Sequence, residues 1–526
     1  MNVTIEEIQS FKGRYPKQIW SLFFSEMWER FCFYGMRGML TFFMVHELFM
    51  KEDVANLQYG ATQAFVYAFT FIGGLFADKI LGFRKSLFWG GLLMIAGSLI
   101  LAVNPHQFFF LGISFTVIGT GFFKPNISTM VGQLYASGDP RRDAGFSLFY
   151  AGINIGALLG GYVCVAVGKG YMLSSIVPED LRWNVAFGFA AVVMAISLIT
   201  FLLTKKSLGP IGLAPVRAKK QAAVDYGAIG KNPNQEPVKT IIEQPITARW
   251  SDYLVYAGSL AVIPLIMMMV SKTEYTDWFM YIIGPVTLVY LFYEMTKHTK
   301  AEVKKLFAAL VFIIFSILFW AFFEQSGGSL ALFAANNLDD QLLGFITADP
   351  NGVNNSANAL FVIIFAPLAG FVWIALAKKK IEPNTVVKFG MGFIFLGAAF
   401  YIFFATRFFQ IIPGIVNLDV FTLAYLVVTF GELCLSPIGL SIMTKLSPAR
   451  LQGVMMGMWF LASAYGQYVA GLLGAGLAKA NENASNVEKL MAYTEGYKQL
   501  GLYAIIAGVV LIIISPLVRR LMQDVR

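Results

Sequence analysis

Ser25-Glu26-Met27-Trp28-Glu29-Arg30-Phe31 places two carboxylates and a guanidinium inside a segment apolar enough to cross a bilayer. A single charged side chain at the middle of a membrane helix costs about 2.5–3.5 kcal/mol even on lenient insertion scales, so such residues face a cavity or one another and mark an ion or substrate path. Glu26 and Glu29 are three apart and Arg30 is four beyond Glu26, so the three project from one helical face, which continues through Phe33, Tyr34 and Arg37. The competing reading of the same pattern is a structural ion pair buried between packed helices.

Working outward, the composition sets the class. With 57% hydrophobic residues, 13% charged and 49 phenylalanines in 526 residues, too little polar surface remains to coat a water-soluble globule of this size. The chain is an integral membrane protein. Its apolar runs of about 20 residues suit helices that cross a hydrocarbon core, and their richness in Gly, Leu, Ile and Phe lacks the alternation of an outer-membrane barrel. Residues 1–17 hold no apolar core and no cleavage site, so no removable signal is expected and the first spanning helix does the targeting. Cys32, Cys164 and Cys434 all sit in apolar runs and make an odd count, against a disulfide framework. The net charge of +9 lies in short loops between apolar runs, which is a signature of membrane orientation and not of nucleic-acid binding.

Spanning helices are predicted near 17–47, 56–80, 84–103, 107–133, 143–168, 184–204, 252–271, 277–296, 303–330, 355–378, 385–406, 419–445, 450–477 and 497–522, about fourteen in all. The expected organisation is a six-helix bundle over 1–204, a cytoplasmic linker over 205–251 rich in Gly, Pro, Lys and Arg, an inserted helix pair over 252–296, and a second six-helix bundle over 297–526. Six plus six is the arrangement of transporters built from two related bundles with a midplane site between them. Lys and Arg crowd 79–85, 141–142, 205–249, 297–305, 378–388, 445–450 and 519–526, whereas 331–355 has neither and carries Asp339, Asp340 and Asp349. The basic side is expected to be cytoplasmic, with both termini on it.

After the second helix, Gly74-Leu75-Phe76-Ala77-Asp78-Lys79-Ile80-Leu81-Gly82-Phe83-Arg84-Lys85 resembles the loop between helices two and three of the major facilitator superfamily. The remaining intramembrane charges are Arg37, Lys124, Glu324 and Glu432. Against the cations Arg30, Arg37 and Lys124 stand the acids Glu26, Glu29, Glu324 and Glu432, so complete pairing leaves one carboxylate over as a proton site. His46, His106 and His298 fall near predicted helix ends or loops, so a proton path has to use carboxylates. An embedded enzyme or receptor finds no support: the sequence has no His-rich metal set, nucleophile–base pairing, phosphate loop or long extramembrane loop.

Glu26-x-x-Glu29-Arg30-Phe31, Phe123-Lys124-Pro125-Asn126, Phe149-Tyr150-Ala151-Gly152-Ile153-Asn154-Ile155-Gly156 and Gly431-Glu432-Leu433 together resemble the proton-dependent oligopeptide transporter family of the major facilitator superfamily, bacterial type. The likeness covers nearly the whole chain. It implies an all-α major facilitator fold in the bacterial inner membrane and symport of di- and tripeptides with protons by alternating access. No cofactor is implied beyond the proton, and the partners are peptides, protons and membrane lipid, with no nucleic acid. By the same resemblance, Glu26, Glu29 and Arg30 couple the proton, Arg37 with Glu324 forms one gating salt bridge, and Lys124 with Glu432 forms the other. It also places Arg30 and Lys124 near the peptide carboxylate, Glu432 at its amino terminus, and Asn154 and Asn358 on its backbone. Tyr34, Tyr67, Tyr150, Trp320, Trp459 and Ser463 are expected to line side-chain pockets. Phe33 stands where several members have Tyr, and Phe323 where some have a second acid. Two alternatives stay open: a same-family proton symporter of nitrate, an amino acid or a modified peptide, and a drug efflux transporter.

Overall fold

Only a structure that satisfies its own backbone hydrogen bonds crosses hydrocarbon, and here the chain does so with helices. The computed structural model describes residues 4–136, 139, 141–214, 250–435, 439–448, 451–478, 484–523 and 525. A short amphipathic turn, α1 (Ile5–Gln9), precedes a first bundle of six long helices: α2 (Gln18–His46), α3 (Glu52–Phe76), α4 (Phe83–Val103), α5 (Pro105–Gln133), α6 (Arg141–Gly168) and α7 (Arg182–Thr204). The inserted pair follows as α8 (Trp250–Ala261) with α9 (Ile263–Ser271), a crossing broken next to Pro264, and α10 (Thr273–Met295). The second bundle comprises α11 (Lys300–Phe323), α12 (Ser329–Asn337), α13 (Pro350–Lys378), α14 (Thr385–Ala405), α15 (Leu418–Leu435), α16 (Gly439–Leu446), α17 (Gln452–Leu477) and α18 (Asn486–Met522). Twelve of the described helical segments are long and apolar enough to cross a membrane. The 29-residue α2 with its four charges and the 26-residue α17 run alongside them, which gives the expected fourteen.

Helix starts are marked by side chains that accept from otherwise orphaned N–H groups. Asn104 accepts from the Gln107 N–H ahead of Pro105, and Asp349 accepts from the Asn351 and Gly352 N–H groups at 3.3 and 3.0 Å ahead of Pro350. Thr299 with Glu302 and Ser485 with Glu488 form capping boxes. Asp349 explains one departure from the sequence reading. The stretch 331–355, expected as a loop, is helical at both ends, with the β1 (Gln341–Leu342) and β2 (Ile346–Thr347) hairpin between them tied to α15 where the Leu343 N–H donates to Asp419. A second hairpin, β3 (Gln410–Ile412) with β4 (Ile415–Val416), lies on the same face. The helix predicted over 303–330 is interrupted by a 3-10 turn at Glu324–Gly327, and that predicted over 419–445 is described as α15 and α16 on either side of 436–438, which lie outside the described residues. Of the expected linker, 215–249 lie outside the described residues. Its first part is gripped by Arg84, whose Nε and Nη2 donate to the Ile211 and Gly209 carbonyls at 2.6 and 2.7 Å.

Buried apolar side chains form two large clusters. One runs from Ile8 to Ile211 and takes in α8 and α9, and the other runs from Leu291 to Met522. The bundles meet along two seams, α3 against α17 and α6 against α13. At the first seam Gly60 and Gly471 face each other so closely that a Cβ on Gly60 would lie 2.7 Å from the Gly471 Cα, and one on Gly471 2.9 Å from the Gly60 Cα. Within the first bundle Gly156 serves α6 the same way: a Cβ there would lie 2.8 Å from the Arg30 Cβ on α2. The small cluster of Ala64, Met280, Ala464 and Tyr468 seats α10 over the α3/α17 seam, so the inserted pair touches both bundles.

Candidate functional site

The charged face of α2 turns inward. Arg30 Nε lies 3.1 Å from Glu26 Oε1 and pairs closely with Glu29, and the three side chains are almost dry, with Glu29 0%, Arg30 1% and Glu26 2% exposed. Two acids therefore share one cation in a medium where an unpaired charge is costly, and a single proton makes the triad neutral. Phe33 lies beneath the guanidinium, its ring centre 5.3 Å from Arg30 Cζ. Glu26 and Arg30 reach a cavity of about 320 Å³ between the bundles, while Glu29 sits behind them.

Two turns along α2, Arg37 pairs with Glu324 at the interruption between α11 and α12. Glu324 is the C-cap of α11, its N–H still bonded to the Trp320 carbonyl, and the 3-10 turn starts from it. Arg37 Nε also donates to Tyr59 Oη at 2.8 Å and Nη2 to Ser326 Oγ at 3.2 Å, and its Cζ lies 5.6 Å from the Tyr34 ring centre. Nearby, Thr41 donates to the Gly327 carbonyl. The first expected gating pair is thus formed.

The second is not. Lys124 Nζ lies 4.5 Å from the Tyr67 ring centre, and Glu432 is held instead by neutral donors, Tyr150 Oη at 3.2 Å and Asn358 Nδ2 at 3.0 Å. Lys124 and Glu432 line the same cavity without pairing in this conformation. The physical reason is where the bundles touch. Every hydrogen bond or ion pair between them, among the described residues, lies at or beyond the Tyr150–Glu432 bond on the face away from the termini. There Lys169 pairs with Asp349 at 2.6 Å, and Glu52 takes Lys489 at 2.8 Å and Tyr493 at 2.5 Å. On the face that carries the termini no hydrogen bond or ion pair joins the bundles among the described residues, and Lys124 and Glu432 line the cavity from opposite bundles.

Tyr34, Tyr67, Tyr150, Asn154, Trp320 and Asn358 all line the cavity, as expected. Asn154 has already spent one amide hydrogen on the Tyr150 carbonyl at 2.9 Å. Trp459 and Ser463 correct the sequence reading, since neither lines the cavity. Trp459 packs into the core of the second bundle, and the Ser463 hydroxyl donates to the Trp459 carbonyl at 3.3 Å, satisfied by its own helix.

Sequence reasoning missed Asn354, Asn355, Tyr425 and Ser326, which line the far end of the cavity. The signal was present: Asn351, Asn354, Asn355 and Asn358 follow i, i+3, i+4, i+7 spacing, one polar face on a helix in a membrane. Tyr425 Oη donates to Asn354 Oδ1 at 2.6 Å, and Asn354 Nδ2 donates to the Ser326 carbonyl at 2.7 Å.

The site's chemistry is polarised. Arg30, Arg37 and Lys124 come from the first bundle, and Glu432 from the second with no cation on it, so a solute with an anionic and a cationic end finds a partner for each on different bundles. A family model described as the POT family matches residues 84–491. The chain is 33% identical to the peptide transporter YePEPT of Yersinia enterocolitica, over 97% of this chain and 96% of that protein. It is 30% identical to the di-/tripeptide transporter of Lactococcus lactis subsp. cremoris, over 97% of both. A crystal structure of a mutant peptide transporter POT in complex with alafosfalin superposes with a TM-score of 0.77 at 29% identity, covering 99% of this chain and 100% of that one.

Proposed function

The chain belongs to the POT family, and we propose that it is a proton-coupled symporter that takes up di- and tripeptides by alternating access. It is a membrane transporter, not an enzyme. The observation that carries the substrate reading is the polarised cavity of about 320 Å³, within the size of small-molecule sites, with cations on one wall and the unpaired acid Glu432 on the other. A peptide zwitterion of two or three residues spans that gap. Its carboxylate meets Arg30 and Lys124, its ammonium meets Glu432, and Asn154 and Asn358 bond its backbone. The names and bound ligand of the relatives support the same substrate class.

Bridging charge across the bundles is what links binding to rocking. Arg37 with Glu324 holds the far face closed, and Lys124 with Glu432 is the pair that closes the termini face when the far face opens. The proton is the co-transported ion. It enters the Glu26–Glu29–Arg30 triad, whose surplus carboxylate accepts it, and no further cofactor takes part. The rocking bodies are the bundles over 1–204 and 297–526, with 205–251 as a cytoplasmic linker and 252–296 as an insertion. The termini face is the cytoplasmic face of a plasma membrane, on the asymmetry of Lys and Arg between loops. Cysteines at Ser207 and Phe345 are expected to label from opposite faces of intact cells, and same-side labelling reverses the orientation.

The functional test is uptake into proteoliposomes under an inward proton gradient. Dialanine and trialanine are expected to accumulate, and alanine and nitrate are not. Accumulation of alanine or nitrate in place of the peptides overturns the substrate assignment.

A further inference from the structure

The far-face ion pair hangs from a turn held on several sides: Gln325 Nε2 donates to the Ala321 and Ala470 carbonyls and Thr41 to the Gly327 carbonyl. Glu324 caps α11, its N–H still bonded to the Trp320 carbonyl, and opens the 3-10 turn Glu324–Gly327, so the residues after it depend on what grips that turn. The grip on Ser326 within the second bundle comes from a two-rung ladder between α13 and α15, which run parallel. On the lower rung Asn358 Nδ2 donates to Thr429 Oγ1 at 3.1 Å and to Glu432 at 3.0 Å. On the upper rung, about one turn away, Tyr425 donates to Asn354 at 2.6 Å and Asn354 passes the bond to the Ser326 carbonyl at 2.7 Å. The spacing is matched: Asn354 and Asn358 are four apart on α13, Tyr425 and Thr429 four apart on α15, and Thr429 donates to the Tyr425 carbonyl at 2.8 Å. The ladder belongs wholly to the second bundle and meets the first at its two ends, where Arg37 donates to Ser326 Oγ and Tyr150 donates to Glu432.

From this geometry we infer that Asn354 and Tyr425 are positioning residues that hold the Glu324 turn toward Arg37 and tie it, as one rigid unit, to the carboxylate of Glu432. Asn354 is fitted to this because its amide both accepts and donates, one bond on each side. Both residues are almost fully buried, so each lost bond is costly. The consequence is directional. Whatever draws Glu432 and Asn358 out of place, whether a ligand ammonium or Lys124, displaces α13 and α15 together and loosens Ser326 from Arg37. The inference deepens the transport reading and rests on it for the identity of the ligand.

Two variants read it. Tyr425→Phe removes the hydroxyl donor, and Asn354→Asp still accepts from Tyr425 but cannot donate to the Ser326 carbonyl. The first measurement is the distance between nitroxide labels on Phe49→Cys and Phe345→Cys, exposed sites on the far face of the two bundles, in lipid without substrate. The unsubstituted protein is expected to give one short distance, and each variant an added longer population. The second measurement is dialanine uptake, in which each variant is expected to lose about tenfold in maximal rate, the scale of one buried hydrogen bond, with its KM within about twofold. Unchanged distances and rate in both variants overturn the inference. So does a parallel loss of affinity and rate with the short distance retained, which is the mark of a merely structural role. Absence of peptide uptake by the unsubstituted protein sinks the transport reading alone, because the label distances need no substrate.

Discussion

The two ends of the interface between the bundles are held in opposite ways. On the far face three ion pairs cross it, Arg37–Glu324, Lys169–Asp349 and Glu52–Lys489, backed by the Tyr59 and Ser326 hydroxyl oxygens and the Asn351 amide oxygen, which accept from the cations, and by the Tyr493 hydroxyl, which donates to Glu52. On the termini face no charge pair crosses among the described residues, and Lys124 and Glu432 wait on opposite walls. The difference teaches that closure here is polar and local. What distinguishes the two faces is thus a few named polar pairs, while apolar contact runs along the seams.

The largest effect is expected from Glu432, the one residue that serves both ends of that comparison. Glu432→Gln removes the partner of a substrate ammonium and of Lys124 together. Losing one member of a buried charge contact costs about 2–5 kcal/mol, so dialanine uptake is expected to fall by a factor of about thirty or more. Near-normal uptake breaks both roles. Next is the triad, which joins neither face. Glu29→Gln leaves Arg30 its bond to Glu26, so the protein is expected to insert and to exchange peptide for peptide in counterflow, while proton-driven accumulation drops to the gradient-free level. A variant that accumulates peptide normally rules out coupling at Glu29, and monodisperse elution checks the fold. The smallest effect belongs to Glu52→Gln. That pair is partly exposed and worth about 1 kcal/mol, so the shift is about fivefold in the balance of the two states, read by the far-face label distances. A larger change than at Glu324→Gln would invert the ranking of the latches.

Much of this was legible before any coordinates. Charges are rare enough in apolar helices that Glu26, Glu29, Arg30, Arg37, Lys124, Glu324 and Glu432 stand out individually, and helical spacing alone puts the α2 set on one face. Which pairs are closed was not legible, because a sequence encodes both ends of a conformational cycle and the structure holds one of them. Lys124 and Glu432 are the example. Trp459 and Ser463 failed for another reason: a serine hydroxyl has a carbonyl of its own helix within reach, and a tryptophan in a helix is equally at home in a core. The break at Glu324–Gly327 carries adjacent glycines, Gly327 and Gly328, but lies in a run otherwise apolar enough to read as continuous helix. The asparagine face of α13 was overlooked because neutral amides do not announce themselves as charges do, although each costs free energy in hydrocarbon without a partner.

The contact of Gly60 with Gly471 has a mechanical meaning. Two backbones touch there with no side chain between them, so nothing interlocks, no rotamer has to change and no volume has to be refilled when one bundle tilts against the other. At that point the seam behaves as a plain bearing, whereas elsewhere on it the Phe71 ring packs onto Gly457. Motion over it is governed by the latches at either end, and a single methyl group at Gly60 acts as a shim that forces the bearing surfaces apart along their length.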